Sequence, residues 1–197
     1  MISTLLLAAG LSRRYGREKL EELIHQKPLI EWVTDQLKAS VIDEVILVVN
    51  PETSRLVQIP PRQDRVKKVV NLSPSDGMSS SIRCGLGACS PISEAVLIAH
   101  ADMPAVNPGI VDQLISRWKL NPGQIVAPRF KEQQGNPVII PRIFWDEIRA
   151  LRGDVGCKSI LTGHPSQVEW VEMDDDAILL DVDRVEDWER LRIRWNE

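Results

Sequence analysis

Cysteine and histidine are scarce in the sequence, and neither is spaced as a metal site requires. The chain has 197 residues, of which three are cysteine and three are histidine. The cysteines are odd in number and lack zinc spacing, and the histidines are scattered along the chain. This pattern is typical of reduced thiols in a cytoplasmic protein and argues against a disulfide framework or a zinc site.

Long apolar runs and an excess of basic residues are also missing. No run approaches the roughly 20 apolar residues that a membrane-spanning helix needs, and residues 1–9 lack the basic region of a signal peptide. The formal net charge of -4 at pH 7 leaves no broad basic surface. We therefore expect a cytoplasmic protein that binds neither membrane nor nucleic acid.

The apolar runs that are present predict the class of fold. With 43% hydrophobic and 26% charged residues, the chain is typical of a globular protein and is long enough for one domain over residues 1–197. Buried strand patterns alternate with helical patterns, which predicts a three-layer α/β/α fold around a mostly parallel sheet. Strands are expected near residues 5–9, 45–49, 66–72, 95–99 and 124–128, and helices near residues 28–39, 51–56, 107–118 and 157–162.

The first predicted strand ends in a small, basic turn. Small residues allow a ligand to approach the backbone, and free N–H groups with cations favour a polyphosphate. The turn fits neither a Walker A loop nor a dinucleotide fingerprint. On spacing alone, a triphosphate site and an ordinary strand-to-loop turn both remain open. The residues concerned are Gly10, Ser12, Arg13, Arg14, Gly16, Arg17 and Lys19.

The same stretch carries a family resemblance. Its spaced residues are Leu7, Ala8, Ala9, Gly10, Ser12, Arg14, Gly16 and Lys19, followed by Lys27, Pro28, Leu29 and Ile30. This pattern resembles the signature of the MobA-like nucleotidyltransferases, whose nucleotide-diphospho-sugar-transferase-like (Rossmann-like) fold agrees with the prediction. The resemblance implies that residues 7–10 and Ser12 hold the nucleotide, while Arg14 and Lys19 grip its triphosphate. The sequence departs at Tyr15, where the family often has Met or Phe and where we expect a packing side chain.

A second turn, rich in serine, precedes another predicted helix. Its residues are Gly77, Met78, Ser79, Ser80 and Ser81. Serines at this position are often plain helix caps, and hydroxyls at a positive helix end also suit an anion. The stretch resembles the second signature of the family, which implies contacts to the base and sugar from Gly77, Ser79, Ser80 and Ser81.

Aspartates after one predicted strand and near the end of the sequence are candidates for a metal site. Asp102 follows the apolar run 95–99, where a carboxylate is well placed to hold Mg²⁺, although it could also cap the turn before Pro104. The resemblance to the family's Asp-x-Pro motif makes Asp102 the first candidate. Asp181 and Asp183 alternate and would share a face of a strand. They resemble the family motif that closes the metal site. His100 is expected to pack.

Two further segments resemble the acceptor side of the family. Gly135 and Asn136 resemble its Gly-His-Pro-Val segment, with Asn136 in place of the histidine. Asp154 and Lys158 lie in a stretch that resembles Leu-x-Gly-Asp-x-Gly-Ala-Arg, with Lys158 in place of the arginine. Asn136 cannot titrate near neutrality as a histidine does, which leaves the identity of the acceptor open. For Lys158, an anion contact and a solvated helix start both fit.

Within the family, the sequence most resembles the molybdenum cofactor cytidylyltransferases, because Ala8-Ala9-Gly10 is closer to that branch than to the guanylyl branch. The resemblance implies Mg²⁺-dependent transfer of CMP from CTP to molybdopterin, with Arg14, Lys19 and Asp102 as catalytic residues. A molybdoenzyme or its maturation factor is then a candidate partner. Two alternatives stay open: transfer from GTP or to another acceptor (a sugar phosphate, an alcohol phosphate or phosphocholine), and a nucleotide or cofactor carrier without catalysis.

Overall fold

The chain folds around one large, mostly parallel sheet. The computed structural model describes residues 1–11, 15, 19–57, 62–63 and 65–195. Its strands are β1 (Ile2–Ala8), β2 (Leu23–Ile24), β3 (Lys27–Pro28), β4 (Glu44–Val49), β5 (Arg62–Gln63), β6 (Val66–Val70), β7 (Ala95–His100), β8 (Ile125–Phe130), β9 (Gln133–Gln134), β10 (Val138–Pro141) and β11 (Val168–Glu172).

The helices connect these strands and cover the sheet. They are α1 (Leu29–Lys38), α2 (Pro51–Leu56), α3 (Met78–Leu86), α4 (Pro108–Leu120), α5 (Trp145–Ala150), α6 (Lys158–Gly163) and α7 (Asp187–Trp195). Among the described residues, none of the helices combines the length and apolar character that a bilayer crossing requires.

The strand order is β11-β8-β10-β7-β1-β4-β6-β5, with β9 paired to β8 and a separate β2–β3 ribbon. The pairs β7–β1, β1–β4, β4–β6 and β8–β11 are parallel. β10 runs antiparallel between β7 and β8. The prediction of a mostly parallel α/β sheet is confirmed.

β1 is the central strand and is buried along its whole length. Because successive side chains of a strand point to opposite faces, its apolar run needs cover on both sides. Leu6 and Ala8 pack into the core that includes residues of α1, α4 and α7. Leu5 and Leu7 pack into the core on the other face, with residues of α3, α5 and α6. The three predicted layers therefore follow from the period of the strand.

The order of strands changes direction at β1. β4 and β6 extend the sheet to one side of β1, whereas β7 lies on the other side. Connections that leave β1 and β7 therefore diverge, and their carboxyl ends border a crevice of the kind in which α/β sheets bind ligands.

Asp181 and Asp183 do not lie on a strand. After β11 the chain forms a short 3-10 turn at Ala177–Leu179 and reaches α7 without further regular structure. The backbone N–H of Val182 donates to the carbonyl of Asp102, at 2.8 Å, so this segment pairs with the loop after β7. The expectation that both aspartates share a strand face is therefore wrong.

Gly85 is a point of close packing between α3 and the sheet. A Cβ atom built at Gly85 would lie 2.8 Å from Cγ2 of Val48 and 3.0 Å from Cδ2 of Leu5. Gly87, two residues later, would have only ordinary contacts, the nearest 3.5 Å from the carbonyl of Cys84. The absence of a side chain at Gly85 allows α3 to approach β1 and β4.

We expect Gly85→Ala to lower the free energy of unfolding by about 1–3 kcal/mol, because Val48 is β-branched and cannot move aside freely in the core. For a chain of this size, each kcal/mol lowers the melting temperature by roughly 2–4 °C. Gly87→Ala is the matched control and should leave the melting temperature unchanged or slightly raised. Thermal unfolding followed by circular dichroism measures both. Equal melting temperatures for the two variants would contradict the packing described for Gly85.

Candidate active site

A cavity of about 530 Å³ opens at the carboxyl ends of β1 and β7. The stretch 7–10, which is the end of β1 and the turn after it, forms one wall. His100 at the end of β7 and Asp102 in the loop after it also line the cavity. The volume is within the range of small-molecule sites, and the position is the crevice at which the strand order changes direction.

A cluster of opposite charges lies in this cavity. The ammonium group of Lys19 donates to Asp102 Oδ2 at 2.7 Å and to Asp183 Oδ1 at 3.2 Å. It also donates to the carbonyl of Val182 at 2.7 Å. Because an ammonium group has three hydrogens, these three acceptors use all of them. The structure therefore brings together three residues that were predicted from separate motifs, Lys19, Asp102 and Asp183.

Two opposing effects act on the pKa of Lys19. Burial by itself lowers the pKa, because the charged form loses solvation, whereas the Asp102 and Asp183 carboxylates raise it. The carboxylates prevail, so the pKa of Lys19 lies above its ordinary value. Lys19 therefore remains a cation throughout the neutral range.

Asp181 is in a different position from Asp183. It is exposed and does not belong to the described lining of the cavity. Although much of the residue is exposed, partial loss of solvation raises the pKa of the Asp181 carboxyl, and the charges of Asp102 and Asp183 raise it further. The geometry thus favours Asp183 over Asp181 as the partner of Asp102.

The turn after β1 is held by a residue that sequence reasoning missed. The side-chain amide of Asn50 donates to the carbonyl of Gly10 at 3.1 Å. Its oxygen accepts from the backbone N–H of Thr53 at 2.8 Å and so caps α2. Asn50 is 2% exposed, and one side chain thereby fixes the turn to the neighbouring strand β4. In the sequence, Asn50 reads only as a helix cap before Pro51.

The start of α3 forms the opposite wall of the cavity. Gly77 has a φ of +83°, and a Cβ atom there would lie 2.4 Å from the carbonyl carbon of Gly153. Asp154 Oδ1 accepts from the backbone N–H of Met78 at 3.2 Å. Gly77 and Asp154 both line the cavity, so the two predicted segments meet here. Glycine is required at position 77 by its backbone angle and by this contact.

The three predicted serines have different positions. Ser81 lines the cavity, whereas the Ser79 side chain is fully buried and accepts from Arg83. The Ser80 hydroxyl interacts with the carbonyls of Ser73 and Gly77. The side-chain amide of Asn71 donates to the hydroxyls of both Ser80 and Ser81. Ser79 and Ser80 therefore organise the turn.

Of the four residues predicted for the acceptor side, Asp154 lines the cavity and the other three do not. Gly135 packs against Ile178, whose carbonyl would lie 2.5 Å from a Cβ atom at Gly135. The backbone N–H of Asn136 donates to the same carbonyl at 3.0 Å. Lys158 is exposed at the start of α6. Within the described residues, the Gly135–Asn136 segment serves to attach β10 to the chain before Asp181.

Other cavity residues were missed or fall outside the described part. His100, expected to pack, lines the cavity together with Tyr15, Leu20 and Met78. Met78 belongs to the predicted serine-rich turn and His100 stands two residues before Asp102, whereas no spacing pattern in the sequence signalled Tyr15 or Leu20 as cavity residues. The predicted nucleotide-binding residues Ser12 and Arg14 lie outside the described residues.

The oxygen atoms around Lys19 also fit a divalent cation. Two carboxylates and one backbone carbonyl are hard donors, which Mg²⁺ and Mn²⁺ prefer. Within the described ranges, no group of three or more His, Cys, Asp or Glu side chains is placed to hold a metal. The protein would thus supply Asp102 and Asp183, and phosphate oxygens and water would complete the shell. A cation bound there would compete with Lys19 for the same carboxylates.

Comparisons with known proteins identify a family and a shared fold. The sequence profile described as "MobA-like NTP transferase domain" matches residues 4–168. The chain is 28% identical over 134 residues to "Probable molybdenum cofactor guanylyltransferase" of Thermococcus gammatolerans, covering 68% of this chain and 65% of that relative. The match thus spans less than two thirds of the relative's length. The chain is also 25% identical over 194 residues to "Purine catabolism protein PucB" of Bacillus subtilis, which covers 94% of this chain and 93% of that relative.

A solved structure shares the fold. The Rv0371C protein of Mycobacterium tuberculosis H37Rv, described as a complex with manganese, superposes with a TM-score of 0.81 at 23% sequence identity. The superposition covers 96% of this chain and 97% of that chain. The superposition thus extends over more of the chain than residues 4–168, which the family profile matches.

We expect Lys19→Met to bind Mn²⁺ about tenfold more tightly than the unchanged protein in the absence of nucleotide. The substitution removes a cation that lies 2.7 and 3.2 Å from the two carboxylates while keeping an unbranched apolar side chain. Free Mn²⁺ is measured by electron paramagnetic resonance. Lys27→Met, at the exposed Lys27–Asp35 pair, is the control and should not change the affinity. Weaker binding by Lys19→Met would show that Lys19 does not compete with the metal.

Proposed function

Since the chain belongs to the MobA-like NTP transferase family, we propose that it is an enzyme that transfers a nucleoside monophosphate from a nucleoside triphosphate to a phosphorylated acceptor. Pyrophosphate is the second product. The observation that carries the proposal is the convergence of Lys19, Asp102 and Asp183 in the cavity beside the turn after β1. A polyphosphate requires cations at its oxygens, and carboxylates are the groups that bring a divalent metal to them.

The proposed reaction is a single displacement. An oxygen of the acceptor phosphate attacks the α-phosphorus, and the bond from this phosphorus to the oxygen that bridges to the β-phosphorus breaks. The bonding electron pair leaves with pyrophosphate. An acceptor phosphate is already ionised near neutral pH, so the reaction needs no general base. Catalysis then depends on positioning and on electrostatic stabilisation of the developing charge.

Lys19 is the proposed cation at the leaving pyrophosphate. All three of its hydrogens bond to the protein, so it must release at least one acceptor to reach a phosphate oxygen. Arg14 is proposed to share this role on the strength of the family signature. Asp102 and Asp183 are the proposed ligands of Mg²⁺, which when bound supplies charge that neutralises phosphate oxygens. The manganese described in the Mycobacterium tuberculosis protein supports a divalent cation.

The nucleotide is proposed to lie between the turn after β1 and the start of α3. Residues 7–10 offer backbone groups on one wall of the cavity, and Gly77 and Ser81 line the other. Ser12 keeps its proposed role in this subsite from the resemblance alone. On the acceptor side, Asp154 is retained in the proposal because it lines the cavity, whereas Gly135, Asn136 and Lys158 do not.

The acceptor is proposed to be molybdopterin or a related phosphorylated pterin cofactor. The name of the Thermococcus gammatolerans relative supports this class of acceptor. Two observations favour different bases. The Ala8-Ala9-Gly10 form resembles the cytidylyl branch and favours CTP, whereas the same relative is named a guanylyltransferase and favours GTP.

We expect Asp102→Asn to lower kcat/KM by about 10²-fold or more, because Asn is neutral and a poorer ligand for a divalent cation. Pyrophosphate release at saturating Mg²⁺ measures the effect. Asp35→Asn is the matched control, because Asp35 also pairs with a lysine, at 2.6 Å, but is exposed and is not part of the described cavity lining. Full activity of a folded Asp102→Asn protein would rule out the proposed metal site.

We expect pyrophosphate release with molybdenum cofactor, Mg²⁺ and CTP, and little release with ATP or UTP. Each nucleotide is assayed separately with the same acceptor. Release with GTP alone would keep the reaction and reassign the base. Nucleotide binding without release for any of the four would contradict transfer to this acceptor and favour the carrier alternative.

A further inference from the structure

A hydrogen bond connects the cavity to the last helix. Nε1 of Trp188, in the first turn of α7, donates to the hydroxyl oxygen of Tyr15 at 2.7 Å, across 173 residues of sequence. Both residues are nearly fully buried, Trp188 at 8% and Tyr15 at 7% exposure. Tyr15 lines the cavity together with Lys19 and Leu20, which follow it closely in the chain. Trp188 therefore contacts a cavity wall without lining the cavity.

Asp187, the residue before Trp188 in α7, binds the segment that carries Asp183. Asp187 Oδ2 accepts from the backbone N–H of Asp183 at 2.9 Å and from that of Arg184 at 2.7 Å. Asp183 is the residue whose carboxylate pairs with Lys19. Two successive side chains of one helix turn thus fix two separate segments of the site.

The rest of α7 is anchored in the fold. Leu191 is 1% exposed and lies in the same core as Tyr15 and Trp188. Arg194 pairs with Asp176 at 2.9 Å, and the ring of Trp195 lies 5.9 Å from that of Trp32 on α1. A helix held at its far end in this way can keep the side chains of its first turn in fixed positions.

We propose that Trp188 is a positioning residue of the site, which acts through Tyr15 on the wall that carries Lys19, while Asp187 fixes the segment that carries Asp183. The inference rests on the proposed nucleotidyl transfer for its effect on turnover. It assigns this role to α7, a helix that lies entirely beyond the 4–168 match to the family profile.

A comparison with other buried tryptophans separates this role from ordinary packing. Trp118 is 4% exposed and lies in the same core as Trp188. Its Nε1 is buried and has no hydrogen-bond partner within the described residues, and the same holds for Trp145. A buried indole N–H is thus tolerated without a partner in this protein, whereas that of Trp188 is directed at a cavity residue. Trp118 is therefore the matched control.

The test uses Trp188→Phe, Tyr15→Phe, the double variant and Trp118→Phe. We expect each of the first two to lower kcat about fivefold, the range of one hydrogen bond, with a smaller change in nucleotide KM. The loss falls on kcat because Lys19 acts on the leaving pyrophosphate. The double variant should lose no more than either single variant. Trp118→Phe should keep kcat within about twofold, even if its melting temperature falls.

A second readout does not depend on turnover. Trace acetylation followed by mass spectrometry measures the reactivity of Lys19, which should rise several-fold in Trp188→Phe and Tyr15→Phe but not in Trp118→Phe. If the unchanged protein shows no turnover with any nucleotide, the proposed function fails and Lys19 labelling still decides the positioning role. Unchanged labelling in both single variants, or additive losses in the double variant, would overturn the inference.

Discussion

The ammonium group of Lys19 is the interaction on which the organisation of the site depends. Its three hydrogens bond to acceptors from two regions, Asp102 after β7 and the Val182–Asp183 pair before α7. An unpaired cluster of carboxylates at this depth would repel itself, and an unpaired buried ammonium would lose its solvation. The ammonium group and the carboxylates therefore stabilise each other. The cluster joins segments that are more than 80 residues apart in sequence.

Several buried polar contacts hold this cluster in place. Val182 N–H bonds to the carbonyl of Asp102, so the two segments that carry the carboxylates are joined by backbone as well as by charge. Asn50 ties the turn after β1 to the end of β4. Breaking any of these hydrogen bonds would leave a buried polar group without a partner, which costs free energy. These contacts connect the segments that surround the ammonium group of Lys19.

The fold and the motif residues could be predicted from the sequence to different extents. Apolar runs of strand length placed both ends of β4 and β7 to within one residue and the ends of β1 to within three, since each strand is buried on both faces of the sheet. Motif residues such as Lys19 and Asp102 were identified through their resemblance to family motifs, since their chemistry alone left other roles open. The roles of Asn50 and Tyr15 could not be identified, because Asn50 reads only as a helix cap and Trp188, the partner of Tyr15, lies 173 residues further along the chain. Tyr15 was expected only to pack.

What the sequence by itself determined is local: the period of each strand, the asparagine caps at Asn50 and Asn107, and the family to which the spaced motifs belong. Only the tertiary structure decided which aspartate, Asp183 or Asp181, joins Asp102. Spacing would place both on one face of a strand, but the chain has no regular structure there, and the Asp183 carboxylate meets Lys19 in the cavity. Hydrogen bonds between segments that are distant in sequence depend on how the chain packs in three dimensions. The spacing of residues within either segment therefore cannot predict them.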